Sequence, residues 1–579
     1  MFEFNRVLPE EAGISSASIL RFLKEMKAYG IELHSFMIVR DSVVAGEGWA
    51  APYRKETLHP MYSFSKTLTA VAIGFAVQEG ILSLNDKLVD IFPEYCPPSI
   101  NENLGRADIK SLLTMSCGHE REMNIWEADR YHGNWIRAFL AHPFLYTPGL
   151  VFQYNTWGSD VLSAIIQKKT GQRLVTFLKP RLFDPLGITD AVCASRNMGD
   201  DFTSTVQGGG WGFKLTTDDM AKFMWFLEQD GIWQGKRLLN HEWIAQMSAR
   251  QVETNNPFYN NGHIKSNWLC GYGFQNWQCT MPGTWRADGA FGQFGIVIPK
   301  KNAVVCLTSA ALNTEAEVNI VLRTLVGGMT GDAERTAMSD LEIKTAADME
   351  KVVCNAVPMK VSGPEAASDQ KALEEYLKDW RCPELWGIRA PLLEETYGEI
   401  RFKADFRGDP SIQDFVSGPG YYEKDGLSTK AVTWHFEDGQ VRLEFELNKE
   451  PEAAPAPEFT YDPFSPAGRT IPKGNEHLIC HDDDPATAVT ETLVVGTDGN
   501  MRLSRLTTAT VAATGTFLSP STFEIDARNI ETTASVRIHC TFFRGMLNLE
   551  ATGTIPEESP LTFRTASGMH FTQEDCLGN

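Results

Sequence analysis

The residues best placed to do chemistry are Ser63 and Lys66, in the run Ser63-Phe64-Ser65-Lys66. Residues three apart on a helix share a face, so this hydroxyl and amine come within hydrogen-bond reach, as a nucleophile and its base require. The following Leu68, Ala70 and Val71 predict a lysine stripped of water. Loss of solvation disfavours the charged form and lowers the pKa, and a neutral lysine can take a proton from serine. A helix starting at Ser63 also offers unpaired backbone N–H groups to an oxyanion. The same pattern recurs at Ser368-Asp369-Gln370-Lys371, but in a polar linker with nothing to desolvate its lysine, and is set aside.

Other chemistries lack their signatures. The chain has no G-x-S-x-G elbow, no H-E-x-x-H, no Walker-type loop and no G-x-G-x-x-G after a strand. Its 11 cysteines show neither C-x-x-C nor zinc-ligand spacing, so no metal and no organic cofactor is expected. Cys117, Cys270 and Cys306 read as small core residues, and His119 and His132 as solvated loop histidines. With 53 Lys+Arg against 74 Asp+Glu the net charge is -21, which opposes binding to nucleic acid and to anionic membranes. The amino terminus shows no secretory pattern, and the longest apolar span, 70–77, is far below the roughly 18 residues needed to cross a bilayer. A cytoplasmic location is expected.

The elements that must position Ser63 and Lys66 follow from periodicity. Ile19, Phe22, Leu23 and Met26 recur at helical spacing. The stretches 35–39 and 42–45 flank a turn at Arg40-Asp41 and predict a hairpin. Residues 62–78 are apolar nearly all round, marking a helix buried on every side, with Gly80 as its stop. Further helices are predicted over 108–115, 135–141, 159–169, 174–182 and 217–229, the last capped at Thr216-Thr217-Asp218-Asp219. Strands return over 290–299 and 303–309, separated by Lys300-Lys301-Asn302. Strands at both ends with helices between predict an α+β fold in which distant segments complete one antiparallel sheet. Beyond a linker at 333–370, residues 371–579 open with a helix presenting Leu373, Tyr376, Leu377 and Trp380. They continue as β-rich runs over 398–406, 431–436, 440–447, 491–495, 522–525, 534–542 and 546–551. That is a separate, mostly-β domain, barrel or sandwich, interrupted by a Pro-rich loop at 451–466.

Four runs, in order, resemble the class C beta-lactamase-like family of penicillin-recognising serine hydrolases. They are Val7-Leu8-Pro9-Glu10-Glu11-Ala12-Gly13, then Tyr62-Ser63-Phe64-Ser65-Lys66-Thr67, then Glu79-Gly80-Ile81-Leu82-Ser83-Leu84-Asn85-Asp86, and Ile109-Lys110-Ser111-Leu112-Leu113-Thr114-Met115-Ser116-Cys117-Gly118. The resemblance covers about 5–325. It implies a beta-lactamase/transpeptidase-like domain over 1–332, with an antiparallel sheet, flanking helices and an all-helical lobe.

It also implies roles. The segment Pro148-Gly149-Leu150-Val151-Phe152-Gln153-Tyr154-Asn155-Thr156 is similar to the family's tyrosine segment, which makes Tyr154 the general base or proton shuttle. The family's Y-x-N has Thr156 in the asparagine position with Asn155 beside it, so either residue holds the lysine and the substrate amide. A literal Tyr259-Asn260-Asn261 lies in an Asn-rich loop and reads as surface. Ala287-Asp288-Gly289-Ala290 is similar to the variant K-T-G strand, with Gly289 admitting the substrate backbone and the Ala290 N–H joining that of Ser63 as oxyanion donors. The lysine that recognises carboxylates is replaced by Ala287; Arg286 either compensates or sits at the surface. Trp157, Trp211 and Trp268 read as pocket walls or as core. The expected function is hydrolysis of a small-molecule ester, amide or peptide through a Ser63 acyl-enzyme. A D-amino-acid peptidase, a DD-carboxypeptidase, a weak beta-lactamase and a noncatalytic scaffold are the alternatives. The β domain either restricts the pocket mouth or forms a homo-oligomer contact.

Overall fold

The computed structural model describes residues 2–123, 126–196, 205–254, 266–311, 313–332 and 365–381, with strand-bearing stretches between 399 and 573. The chain divides into two compact units, Met1–Pro383 and Glu384–Asn579. The Tyr259-Asn260-Asn261 triplet, most of the 333–370 linker and the Pro-rich stretch 451–466 lie outside the described residues.

The first unit is built on one sheet. Helix α1 (Ser16–Ala28) buries Ile19, Phe22, Leu23 and Met26, the residues its periodicity selects. Strands β1 (Leu33–Arg40) and β2 (Val43–Trp49) form a hairpin. Its turn residues Asp41 and Ser42 both have positive φ, 50° and 67°, as a tight hairpin requires. Next come helices α2 (Ser65–Gln78), α3 (Thr156–Thr170) and α4 (Thr217–Glu228). Strands β3 (Trp285–Gly289), β4 (Gln293–Ile298) and β5 (Ala303–Ser309) complete the sheet.

The order is Asn5–Arg6, β2, β1, β5, β4, β3, Trp277–Gln278, so β5 from near residue 305 pairs antiparallel with β1 from near residue 37. Only the edge pair Asn5–Arg6 with β2 is parallel. Phe36, Ile38, Phe294 and Ile296 join α1 in one core, while Met37, Val39, Val297 and Val304 join α2, α3 and α4 in the other. This period-two division explains why every residue of β1 is buried.

Two expectations change. The run 290–299 is not one strand: residues 290–292 are the turn between β3 and β4. Phe291 and Gly292 there have φ of 63° and 91°, a conformation apolarity alone does not reveal. The helix assigned to the second domain, α5 (Ala366–Lys378), belongs to the first unit. Leu373, Tyr376, Leu377 and Trp380 pack into the core under α1, and Ala51 bridges Arg381. The apolar face was legible; its partner was not.

The second unit is all β among its described residues. Its first strand (Glu399–Ala404) pairs antiparallel with its last (Met569–Gln573), and Gly496 bridges Thr514. Nine strands therefore close into a ring, a barrel and not a sandwich, and a tenth, Arg502–Arg505, pairs with Thr510–Ser519 alone. Trp434, Leu443, Leu493, Phe523, Ile525 and Ile538 are buried. Strands Arg502–Arg505, Thr510–Ser519 and Met569–Gln573 were not anticipated. Thr510–Ser519 is largely Thr, Ala and Gly, with little hydrophobic alternation to read.

Candidate active site

Ser63 sits in a single 3-10 turn, Tyr62–Phe64, that runs directly into α2. Its neighbour Tyr62 has φ of 44°, a region that non-glycine residues seldom adopt. The Tyr62 ring packs edge-on against Phe291 across the site, 5.3 Å between centroids. The turn is clamped from both sides. The Met61 N–H donates to the Phe213 carbonyl (2.8 Å), and the Phe213 N–H donates to Ser65 Oγ (3.1 Å). A side chain at Gly289 would place its Cβ 2.2 Å from the Met61 carbonyl. Gly289 thus makes room for the turn that carries Ser63. Ser63 itself is half-buried and open to a ligand.

Lys66 is only 1% exposed. Its Nζ donates to Ser63 Oγ (2.8 Å), the Gly210 carbonyl (2.8 Å) and Thr156 Oγ1 (3.3 Å), and lies 4.8 Å from the Tyr154 ring centre. Three acceptors match the three protons of an ammonium. Loss of solvation nevertheless dominates and pushes the lysine pKa down to about 8, partly offset by the charges of Asp160, Glu122 and Asp288. A fraction of the amine is therefore neutral near physiological pH. The Tyr154 phenol shares a hydrogen bond with Ser63, and burial pushes its pKa well up, so it rests as a phenol.

A layer beneath fixes these acceptors. Asp160, one turn after Thr156 on α3, is 1% exposed. It accepts the Gly210 N–H (2.8 Å) and pairs with Arg196 (3.1 Å), whose guanidinium lies between the Trp157 and Trp211 rings. A Cβ on Gly210 would fall 2.8 Å from Thr156 and 3.2 Å from Asp160, so only glycine lets this carbonyl reach Lys66. Glu122 Oε1 accepts the Thr156 N–H (2.6 Å) at the start of α3.

The structure brings Ser63, Lys66 and Tyr154 together. Thr156, and not Asn155, meets the lysine: Asn155 is buried, caps α3 by accepting the Gly158 N–H (3.2 Å) and donates to His119 (3.0 Å). Ala290 is exposed at the turn after β3. Arg286 is neither surface nor free for a carboxylate. It is fully buried, paired with Asp288 (2.8 Å), bonded to the Asn267 and Gln278 carbonyls and covered by Trp268 at 4.3 Å. Asp288 is correspondingly committed to Arg286.

His119 is buried, with its pKa pushed down to about 3 by desolvation, whereas His132 is exposed. Cys117 and Cys306 are core residues as expected; Cys270 is half-buried. Thr156 was weighed from the sequence, but Gly210, Asp160 and Glu122 were missed. Two signals were available: the run Gly208-Gly209-Gly210-Trp211, and an aspartate inside an otherwise apolar helical stretch.

The family model described as Beta-lactamase matches residues 21–328. A lovastatin esterase of Penicillium rubens is 28% identical over 166 residues, covering 25% of this chain and 41% of that protein. A 6-aminohexanoate-dimer hydrolase of Paenarthrobacter ureafaciens is 25% identical over 261 residues, covering 41% of this chain and 64% of that protein. Less than two thirds of either relative is spanned. Among solved structures, a protein described as a 6-aminohexanoate-dimer hydrolase from Bacillus anthracis aligns with 20% identity and a TM-score of 0.42 over 55% of this chain and 85% of its own.

Proposed function

Since the chain belongs to the Beta-lactamase family, we propose that it is a serine hydrolase cleaving an ester or neutral amide through an acyl-enzyme on Ser63. The observation that carries this reading is the hydrogen bond between a desolvated Lys66 amine and the Ser63 hydroxyl, 2.8 Å long. Neutral Lys66 takes the Ser63 proton as Oγ attacks the carbonyl carbon. The backbone N–H groups of Ser63 and Ala290 receive the developing oxyanion. The Tyr154 phenol, bonded to Ser63, passes a proton to the leaving oxygen or nitrogen and is reprotonated by Lys66. Water then attacks the acyl-enzyme by the reverse relay, restoring Ser63.

Tyr154 serves as a shuttle here and not as a resting base, because its raised pKa leaves negligible phenolate at neutral pH. Carboxylate-bearing substrates such as penicillins are disfavoured, since Arg286 is buried and already paired.

The test is a panel of short p-nitrophenyl esters, anilides, acyl-D-alanyl peptides and penicillins. Esters should add one acyl mass to the Ser63 peptide and turn over. Faster turnover of D-peptides or penicillins than of esters would contradict the substrate class. Absence of acylation by every member would favour a scaffold.

A further inference from the structure

The charges around Ser63 do not cancel while Lys66 is neutral, the form that takes the Ser63 proton. Asp160 is matched by Arg196 at 3.1 Å and Asp288 by Arg286 at 2.8 Å. Lys66 and Glu122 remain. For Lys66 to accept the Ser63 proton it must first be neutral, and Glu122 is then the carboxylate at the site without a cation among the described residues. Glu122 is half-buried. One oxygen accepts the Thr156 N–H at 2.6 Å, and no other group of the described residues bonds its second oxygen. It lies one residue from the acceptors of Lys66, because Thr156 Oγ1 is itself 3.3 Å from Nζ. Its charge acts on both Lys66 and Tyr154. Arg121 donates to the Glu122 backbone carbonyl (2.9 Å) and pairs with Glu127 (2.8 Å) instead of the Glu122 carboxylate.

We propose that Glu122 is a specificity residue that selects substrates carrying a cationic group, an amine or quaternary ammonium, on the acyl portion. The proposal rests on the hydrolase reading and names its substrate class. A half-buried carboxylate held by a backbone N–H keeps a fixed position. It interacts with a ligand charge more strongly than a solvated surface group does. The same carboxylate repels acyl groups ending in a negative charge.

Three p-nitrophenyl esters of equal acyl length test this, one ending in trimethylammonium, one in tert-butyl and one in carboxylate. The wild-type protein should favour the cation about tenfold over the tert-butyl ester in kcat/KM and disfavour the anion by a similar factor, roughly the strength of one partly buried charge pair. Added salt should shrink both ratios. In Glu122→Gln the three esters should fall within about threefold of one another, while Glu122→Asp, which keeps the charge, should retain the order. Ser63-dependent turnover with no charge preference, or a preference unchanged in Glu122→Gln, overturns the proposal and leaves the hydrolase reading standing. Failure of all three esters to acylate Ser63 overturns both.

Discussion

The molecule contains the same four-letter pattern twice, and only one copy is built for chemistry. Ser63 and Lys66 lie where a 3-10 turn enters a helix, buried at every position from Ser65 to Ala76. Ser368 and Lys371 lie on α5, also three residues apart on a helix. There the Lys371 side chain is 77% exposed and sits 3.8 Å from Glu375, and the Ser368 hydroxyl donates to the Glu365 carbonyl (2.8 Å). Spacing is identical; desolvation is not. Burial brings the Lys66 pKa down to about 8 and leaves its serine as a hydrogen-bond partner. Solvent surrounds the second lysine, and its serine bonds the backbone instead. Proximity becomes general-base chemistry only where water is excluded.

The contrast makes graded predictions. Replacing Ser63 by Ala should lower kcat/KM for an ester by about ten-thousandfold or more, while Ser368→Ala leaves it within about twofold; steady-state kinetics reads both. Lys66→Ala should cost about a hundredfold to ten-thousandfold, the usual range for a lost general base. Lys371→Ala should be silent, and a loss there would erase the distinction between the two sites. Gly289→Ala should reduce kcat by about a hundredfold, since the new Cβ displaces the Met61 carbonyl and with it the nucleophile; circular dichroism should show the fold retained. Thr156→Val should cost about tenfold. It should also move the acid limb of the pH profile to lower pH, because removing an acceptor weakens the protonated form of Lys66.

What the sequence revealed depended on how local it was. The nucleophile and base are three residues apart in a run whose composition announces burial, so both could be read directly. Tyr154 was reached through resemblance, and the structure brings it to the same hydroxyl. The groups that hold Lys66 come from 90 and 144 positions away, and Glu122 reaches Thr156 across 34. No pattern within a window of sequence joins such distant partners. Arg286 shows the same limit: its burial under Trp268 and its pairing with Asp288 follow from how β3 and its edge strand pack. Likewise the apolar face of α5 is plain in the sequence, but that it packs into the core under α1 depends on tertiary packing. The barrel's Thr- and Ala-rich strands were hidden because they lack hydrophobic alternation.

The decisive experiment is the pH dependence of inactivation by a fluorophosphonate, with the labelled peptide identified by mass spectrometry. A single adduct should appear on Ser63, at a rate that rises with pH and reaches half its maximum near the Lys66 pKa of about 8. Labelling of another serine, or a rate still climbing at about pH 10 as for a solvated lysine, would mean that the amine beside Ser63 is not the dry base described here.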